Sequence, residues 1–171
     1  ILSGGPSSVY EDSSPEYDSK LFAMDIPILG ICYGLQLMAH HYNGHVESSS
    51  HGEYGFALIN IMNSEHLFQS VSGNTQVWMS HMDRVTQMPP GWEIMAESSN
   101  GVVAAMGHVE SKRFATQFHP EVNHTVEGET ILNNFLFKIA GCSPDWTAGN
   151  FIHEHVEKIR EITTGKRVLV G

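Results

Sequence analysis

PILGICYGLQLMAHH, residues 27–41, places an apolar run directly before a helical pattern, with a single cysteine between the two. The run at 27–31 is apolar and short, which is typical of a buried strand. The residues after it recur at helical spacing up to a glycine that can end a helix, namely Leu35, Met38, Ala39, Tyr42 and Gly44. The stretch therefore predicts a strand that turns directly into a helix, with Cys32 at the turn.

Further strand-like and helix-like segments alternate along the chain. This alternation predicts an α/β domain with an open, mostly parallel sheet flanked by helices and some antiparallel strands in the middle. The middle strands are expected at YGFALINIM (54–62), TQVWMS (75–80), GWEIMAES (91–98), GVVAAMGH (101–108) and RFATQF (113–118). Two helices are expected after them, at 128–141 and 150–162, and KRVLVG at the end resembles the start of a strand.

Charge and composition exclude some classes of binding partner. The formal net charge of −10, from 19 acidic and 9 basic side chains, would repel a nucleic-acid backbone. No stretch has the length and hydrophobicity of a membrane span. Two cysteines, Cys32 and Cys142, make no disulfide framework. We therefore expect no nucleic acid and no membrane as partner, and a cytoplasmic location.

Cys32 has the surroundings of a nucleophile. Gly30 and Gly34 bracket it as small residues bracket the serine of a nucleophile elbow. The start of a helix favours the thiolate through its exposed amides and dipole. The amide of Tyr33, directly after the cysteine, would donate to an oxyanion. The alternative that this motif leaves open is a buried, inert cysteine at a helix start.

A base for this cysteine is predicted in FATQFHPEV, residues 114–122. His119 and Glu121 follow a strand, and catalytic residues commonly lie at the carboxyl ends of parallel strands. Pro120 stiffens the loop, so Glu121 could orient the imidazole while His119 moves a proton. No metal site is expected, because the adjacent His40 and His41 do not share one face of a helix and have no cysteine ligands nearby.

The motifs SGGP (3–6), GICYGLQ (30–36) and FHPE (118–121) together resemble those of class I glutamine amidotransferase domains. The resemblance implies a flavodoxin-like sheet, L-glutamine as substrate, and a triad of Cys32 as nucleophile, His119 as base and Glu121 as orienting carboxylate. It also implies backbone amides of Gly5 and Tyr33 in the oxyanion hole. The substrate-binding residues that it implies are Gln36, Ser80, His81 and Asp83.

Within that family, EYGFA (53–57), VWMSHMDRV (77–85) and the tail 141–171 resemble the branch formed by GMP synthases. This resemblance implies an amidotransferase domain at 1–141 without its first strand–helix–strand. Residues 142–171 would then lead to a missing ATP-pyrophosphatase domain that binds XMP, ATP and Mg²⁺, in a homodimeric enzyme whose glutaminase part needs no cofactor. Met82 replaces a glycine that is usual in this branch, and we expect its side chain to point away from the glutamine pocket.

Two alternatives stay open. The chain could supply ammonia for anthranilate, carbamoyl phosphate or CTP synthesis instead, although the tail after residue 141 disfavours this. It could also be a catalytically silent regulatory module with the same fold, although the intact Cys32, His119 and Glu121 disfavour that.

Overall fold

A computed structural model describes residues 1–169 of the chain. The chain divides into two compact units, Ile1–Ala140 and Gly141–Gly171. The first unit holds the whole sheet, and the second is a connecting segment with one helix.

The first unit is built on a six-stranded sheet with the order β1-β6-β5-β4-β2-β3. Its strands are β1 (Ile28–Ile31), β2 (His45–Ile61), β3 (Asn74–Gln87), β4 (Glu93–Ser98), β5 (Val103–His108) and β6 (Arg113–Thr116). The predicted α/β class is confirmed, as are the antiparallel strands in the middle.

The share of parallel pairing is smaller than the sequence analysis expects. Within residues 1–169, β1 pairs with β6 in parallel and Leu2 adds a parallel bridge to Gly30, whereas the other four strand pairs are antiparallel. The connections between β4, β5 and β6 are short, and a short connection can join only antiparallel neighbours.

The helices are α1 (Lys20–Ala23), α2 (Tyr33–His41), α3 (Gly128–Asn133) and α4 (Ala148–Thr163), with a 3₁₀ turn at His66–Phe68. The predicted helices are present, but the one expected at 128–141 changes after α3 into a π-helical segment, Asn134–Ile139. At the change, the buried side chain of Asn134 donates hydrogen bonds to the carbonyls of Leu67 and Gln69. The spacing of apolar residues in the sequence does not indicate this contact, because its partners lie far away in the chain.

The core lies on both faces of the sheet. Leu29 and Phe114 belong to one buried cluster, while their chain neighbours Ile28 and Ala115 belong to another. Successive side chains of a strand point to opposite faces, so β1 and β6 are buried on both sides. This explains why the sequence of β1 is apolar without alternation.

In the second unit, Thr147 caps α4 by accepting a hydrogen bond from the amide of Asn150 at 3.1 Å. Residues 167–169 have no regular structure, so the strand expected at KRVLVG does not begin there, and its last two residues lie outside the described part. Among residues 1–169, no helix combines the length and hydrophobicity needed to cross a membrane.

Candidate active site

Cys32 lies at a strained turn between β1 and α2. Its φ of 54° and ψ of −104° are unusual for a residue with a side chain, and its amide donates to the carbonyl of Thr116 at 2.8 Å. The turn needs two glycines, because a Cβ on Gly30 would lie 2.6 Å from the carbonyl carbon of Gly34 and a Cβ on Gly34 would lie 2.4 Å from the carbonyl oxygen of Leu2. The strand–turn–helix unit predicted around Cys32 is therefore present.

His119 and Glu121 form the second part of the site, in the loop after β6. Nδ1 of His119 lies 2.6 Å from Oε1 of Glu121. Thr125, which sequence reasoning missed, fixes the same loop: its hydroxyl donates to the carbonyl of His119 at 2.6 Å and accepts from the amide of Trp78 at 3.1 Å. A lone threonine after the motif carries no sequence signal for this contact.

The two parts meet beside Gly4. A Cβ placed on Gly4 would lie 3.1 Å from Cε1 of His119, a tight approach, and 3.5 Å from Cβ of Cys32, an ordinary contact distance, so Gly4 lies directly against both side chains. A hydrogen bond to Cys32, together with the hydrogen bond and charge of Glu121, raises the pKa of His119 from 6.5 to about 9, although burial acts to lower it. The imidazole is therefore protonated at neutral pH.

A cavity of about 490 Å³ opens above these side chains. Of the residues predicted for the site, those that line it are Gly5, Cys32, Gln36, Ser80, His81, Asp83 and His119. Tyr33 lies next to Gly5, since a Cβ there would be 3.7 Å from Cγ of the Tyr33 ring. Glu121 lies behind the imidazole of His119.

Gln36 is buried and its amide is already engaged by the protein. Its Nε2 donates to the carbonyl of Asp83 at 3.1 Å and to Oε1 of Gln117 at 3.4 Å. Gln117, a second residue missed from the sequence, is fully buried, and its Nε2 lies 3.8 Å from Sγ of Cys32. Sγ in turn lies 3.6 Å from the carbonyl oxygen of Ser80.

Met82, whose side chain is expected to point away from the pocket, is among the residues that line the cavity and is 43% exposed. Burial alternates regularly along this part of β3, so Met82 lies on the strand face opposite to the buried His81 and Asp83. The direction of its side chain relative to bound glutamine stays a prediction.

His81 is predicted to bind the substrate, but its ring nitrogens are engaged by the protein. His81 is at the cavity wall, yet both of its ring nitrogens face protein atoms, the carbonyl of Asp83 and the carboxylate of Glu53. No group of three or more potential ligand side chains is arranged to hold a metal ion among residues 1–169.

A cysteine at a strained elbow, a histidine on a carboxylate and a shared cavity define a class of thiol-dependent amide-cleaving sites. The family model for Glutamine amidotransferase class-I matches residues 1–139, and the chain belongs to that family.

Among curated relatives, the chain is 48% identical over 169 residues to the glutamine-hydrolyzing GMP synthase of Geobacillus kaustophilus, covering 99% of this chain and 33% of the relative. It is 46% identical to the corresponding enzyme of Natranaerobius thermophilus, covering 100% of this chain and 34% of the relative. The chain thus spans about a third of the length of the curated relatives it matches.

Two crystal structures extend the comparison. A Thermoplasma acidophilum protein, provisionally named as one of the subunits of a GMP synthase, is 31% identical with a TM-score of 0.68, over 81% of this chain and 64% of that one. A glutamine amidotransferase of Thermotoga maritima shares the fold at 20% identity and a TM-score of 0.56, over 84% of this chain and 60% of that one.

Proposed function

We propose that this chain hydrolyses the side-chain amide of L-glutamine to glutamate and ammonia through Cys32, His119 and Glu121. The observation that carries the proposal is that Cys32, at its strained elbow, and His119, whose Nδ1 lies 2.6 Å from Glu121, line the same cavity. Membership of the class I glutamine amidotransferase family supports the choice of amide.

In the proposed first half-reaction, the Cys32 thiolate attacks the carboxamide carbon of glutamine. The oxyanion that forms is held by the backbone amides of Gly5 and Tyr33. His119, protonated because its pKa is about 9, donates its proton to the amide nitrogen, the C–N bond breaks, and ammonia leaves. A γ-glutamyl thioester on Cys32 remains.

The second half-reaction needs the same imidazole as a base. An acylated Cys32 carries no charge and no longer holds the proton on His119, so the pKa of His119 falls from its raised value. The neutral ring then takes a proton from water, the hydroxide attacks the thioester carbon, and the C–S bond breaks. Glutamate leaves, and the sulfur and imidazole return to their starting state.

Gln36, Ser80 and Asp83 are proposed to hold the substrate, supported by their places on the cavity wall. The buried Gln36 acts through the carbonyl of Asp83, to which its Nε2 is bonded at 3.1 Å. The side chains of Ser80 and Asp83 are proposed to bind the α-amino acid end of glutamine, although Oδ1 of Asp83 also accepts a hydrogen bond from the hydroxyl of Tyr10 at 3.0 Å.

For the whole protein, we propose that the ammonia serves GMP synthesis, as in the relatives named GMP synthase. An ATP-pyrophosphatase domain outside this chain would bind XMP, ATP and Mg²⁺, and residues 142–171 would lead into it after an amidotransferase domain at 1–141. A homodimeric assembly and a cytoplasmic location belong to the same proposal. Two cysteines without a disulfide agree with that location.

The test is glutamate release from L-glutamine by the purified chain, measured beside Cys32→Ala and the matched control Cys142→Ala. Cys142 is exposed and in the second unit, so its loss should leave the rate unchanged. Cys32→Ala should lower the rate by about a thousandfold or more, because its nucleophile is absent. Circular dichroism checks that all three chains fold. Equal rates in a folded Cys32→Ala chain would reject the triad.

A further inference from the structure

His81 and Glu53 form a buried pair that the triad does not use. They are direct partners across β2 and β3, and Nε2 of His81 lies 3.1 Å from Oε2 of Glu53. The two side chains are only 3% and 9% exposed. A pair so removed from water must satisfy its hydrogen bonds within the protein.

The partners of Glu53 identify it as a carboxylate. Oε1 accepts from the hydroxyl of Ser98 at 2.7 Å and from Nδ2 of Asn100 at 2.8 Å, while Oε2 faces His81. Burial acts to raise the pKa of Glu53, but the hydrogen bonds from His81, Ser98 and Asn100 lower it below its ordinary value. Glu53 therefore only accepts.

The ring of His81 is held by a protein oxygen at each nitrogen. Nδ1 lies 2.9 Å from the carbonyl oxygen of Asp83, which cannot donate, so Nδ1 carries a hydrogen. Nε2 lies 3.1 Å from Oε2 of Glu53. Both polar atoms of the ring are therefore engaged by the protein.

This ring acts on the cavity wall through the backbone. The Asp83 carbonyl that it binds also accepts from Nε2 of Gln36. The carbonyl of Ser80, the residue before His81, faces Sγ of Cys32 at 3.6 Å. The segment 80–83 is thus tied to the nucleophile at one end and to Gln36 at the other.

We propose that His81 is a positioning residue rather than a substrate ligand: Glu53 holds its ring, which fixes the wall at 80–83 against Cys32 and Gln36. This role of His81 rests on the proposed function, because the segment 80–83 lines the proposed glutamine site.

The first test reads the ring itself by NMR of the full chain labelled with ¹⁵N-histidine. Nδ1 of His81 should carry a hydrogen that is bonded to the carbonyl of Asp83. In Glu53→Gln, the new amide can donate to Nε2, so Nδ1 should keep its hydrogen while the wall stays in place. A ring without a hydrogen on Nδ1 in the unsubstituted chain would overturn the assignment.

The second test measures the wall through the rate at which iodoacetamide alkylates Cys32, with Cys142→Ala as the background because Cys142 is exposed. His81→Ala removes the donor to Asp83 and should speed alkylation about tenfold. His81→Asn keeps an N–H near the position of Nδ1 and should bring the rate most of the way back. An unchanged rate in a folded His81→Ala chain contradicts positioning, and the Asn variant supplies the comparison if the Ala variant does not fold.

Glutamine kinetics separate positioning from chemistry. His81→Ala should raise KM about tenfold with kcat changed by less than about threefold, and His81→Asn should restore KM. A fall in kcat at constant KM would reject the positioning role. An unsubstituted chain that releases no glutamate would reject the proposed function instead, and the NMR and alkylation results would still decide the role of His81.

Discussion

At the scale of single residues, His119 is held between two groups that both favour its protonated form. Cys32 and Glu121 raise its pKa to about 9. The stability that protonated His119 contributes is fully present below pH 6.5, the ordinary pKa of a histidine, and is lost as the pH rises through about 9. Proton donation by His119 to the leaving ammonia should depend on pH over the same range.

We therefore expect kcat/KM for glutamine to fall on the alkaline side near pH 9. Glu121→Gln removes the charge that helps to raise the pKa of His119, so its alkaline limb should move to lower pH. The measurement is the pH profile of kcat/KM for both chains. A limb that stays in place would show that Glu121 does not tune His119.

Thr125 supports His119 through the backbone. Thr125→Val keeps the shape of the side chain but removes the hydroxyl that bonds the half-buried carbonyl of His119 and the amide of Trp78. The expected loss is about 2–4 kcal/mol in the free energy of unfolding, with a lower kcat. Denaturant unfolding and glutamine kinetics measure the two effects. Thr125→Ser, which keeps the hydroxyl, should recover both; a Val variant as stable as the original would count against the contact.

At the scale of elements, α3 begins in close contact with the loop that carries the proposed base. A Cβ on Gly128 would lie 2.1 Å from the carbonyl oxygen of Pro120, a distance that no backbone tolerates. The start of α3 and the segment 119–121 therefore occupy their positions only with a glycine at 128.

We expect Gly128→Ala to move this loop, which would reduce glutaminase activity about tenfold or more and lower the thermal midpoint of unfolding. Gly73→Ala is the matched control, because a Cβ there meets no atom within 4 Å. Activity assays and thermal unfolding of the two variants make the comparison. If both variants keep the same activity and thermal midpoint, the loop at 119–121 tolerates a Cβ on residue 128 and the prediction is wrong.

At the scale of the whole molecule, Arg113 joins distant parts of the first unit. Its guanidinium, buried at the start of β6, donates to the carbonyls of Phe22, Met24 and Ile26, which follow or belong to α1. A further bond goes to the carbonyl of Ser111 at 2.7 Å. The Arg113 side chain thus fixes the segment before β1 against the sheet.

Arg113→Met keeps much of the apolar stem but leaves these carbonyls without donors. We expect a loss of about 3 kcal/mol in the free energy of unfolding, measured with denaturant. Arg160→Met provides the control, because Arg160 is exposed on α4 and its ion pair with Glu157 at 2.8 Å lies at the surface. Comparable losses in both variants would contradict the role of Arg113.

The residues that sequence reasoning found share a physical property: their signals are local. The apolar run 27–31, the glycines around Cys32 and the triplet His119–Pro120–Glu121 are each encoded in adjacent residues. Gln117 and Glu53 were missed because each contacts a partner far away in the chain. Thr125 was missed because its hydroxyl joins the nearby His119 to the distant Trp78, and this contact forms only in the folded chain. The Glu53–His81 pair spans 28 positions and exists only through the register of β2 and β3.

The sequence by itself determined the α/β class, the elbow at Cys32 and the histidine–carboxylate loop, because strand and helix periodicity and tight-turn chemistry depend on neighbouring residues. Only the tertiary structure decided the mainly antiparallel pairing within residues 1–169, the place of Met82 on the cavity wall and the direction in which His81 points. These follow from strand register and from burial, which set hydrogen-bond partners across the sheet that no local pattern contains.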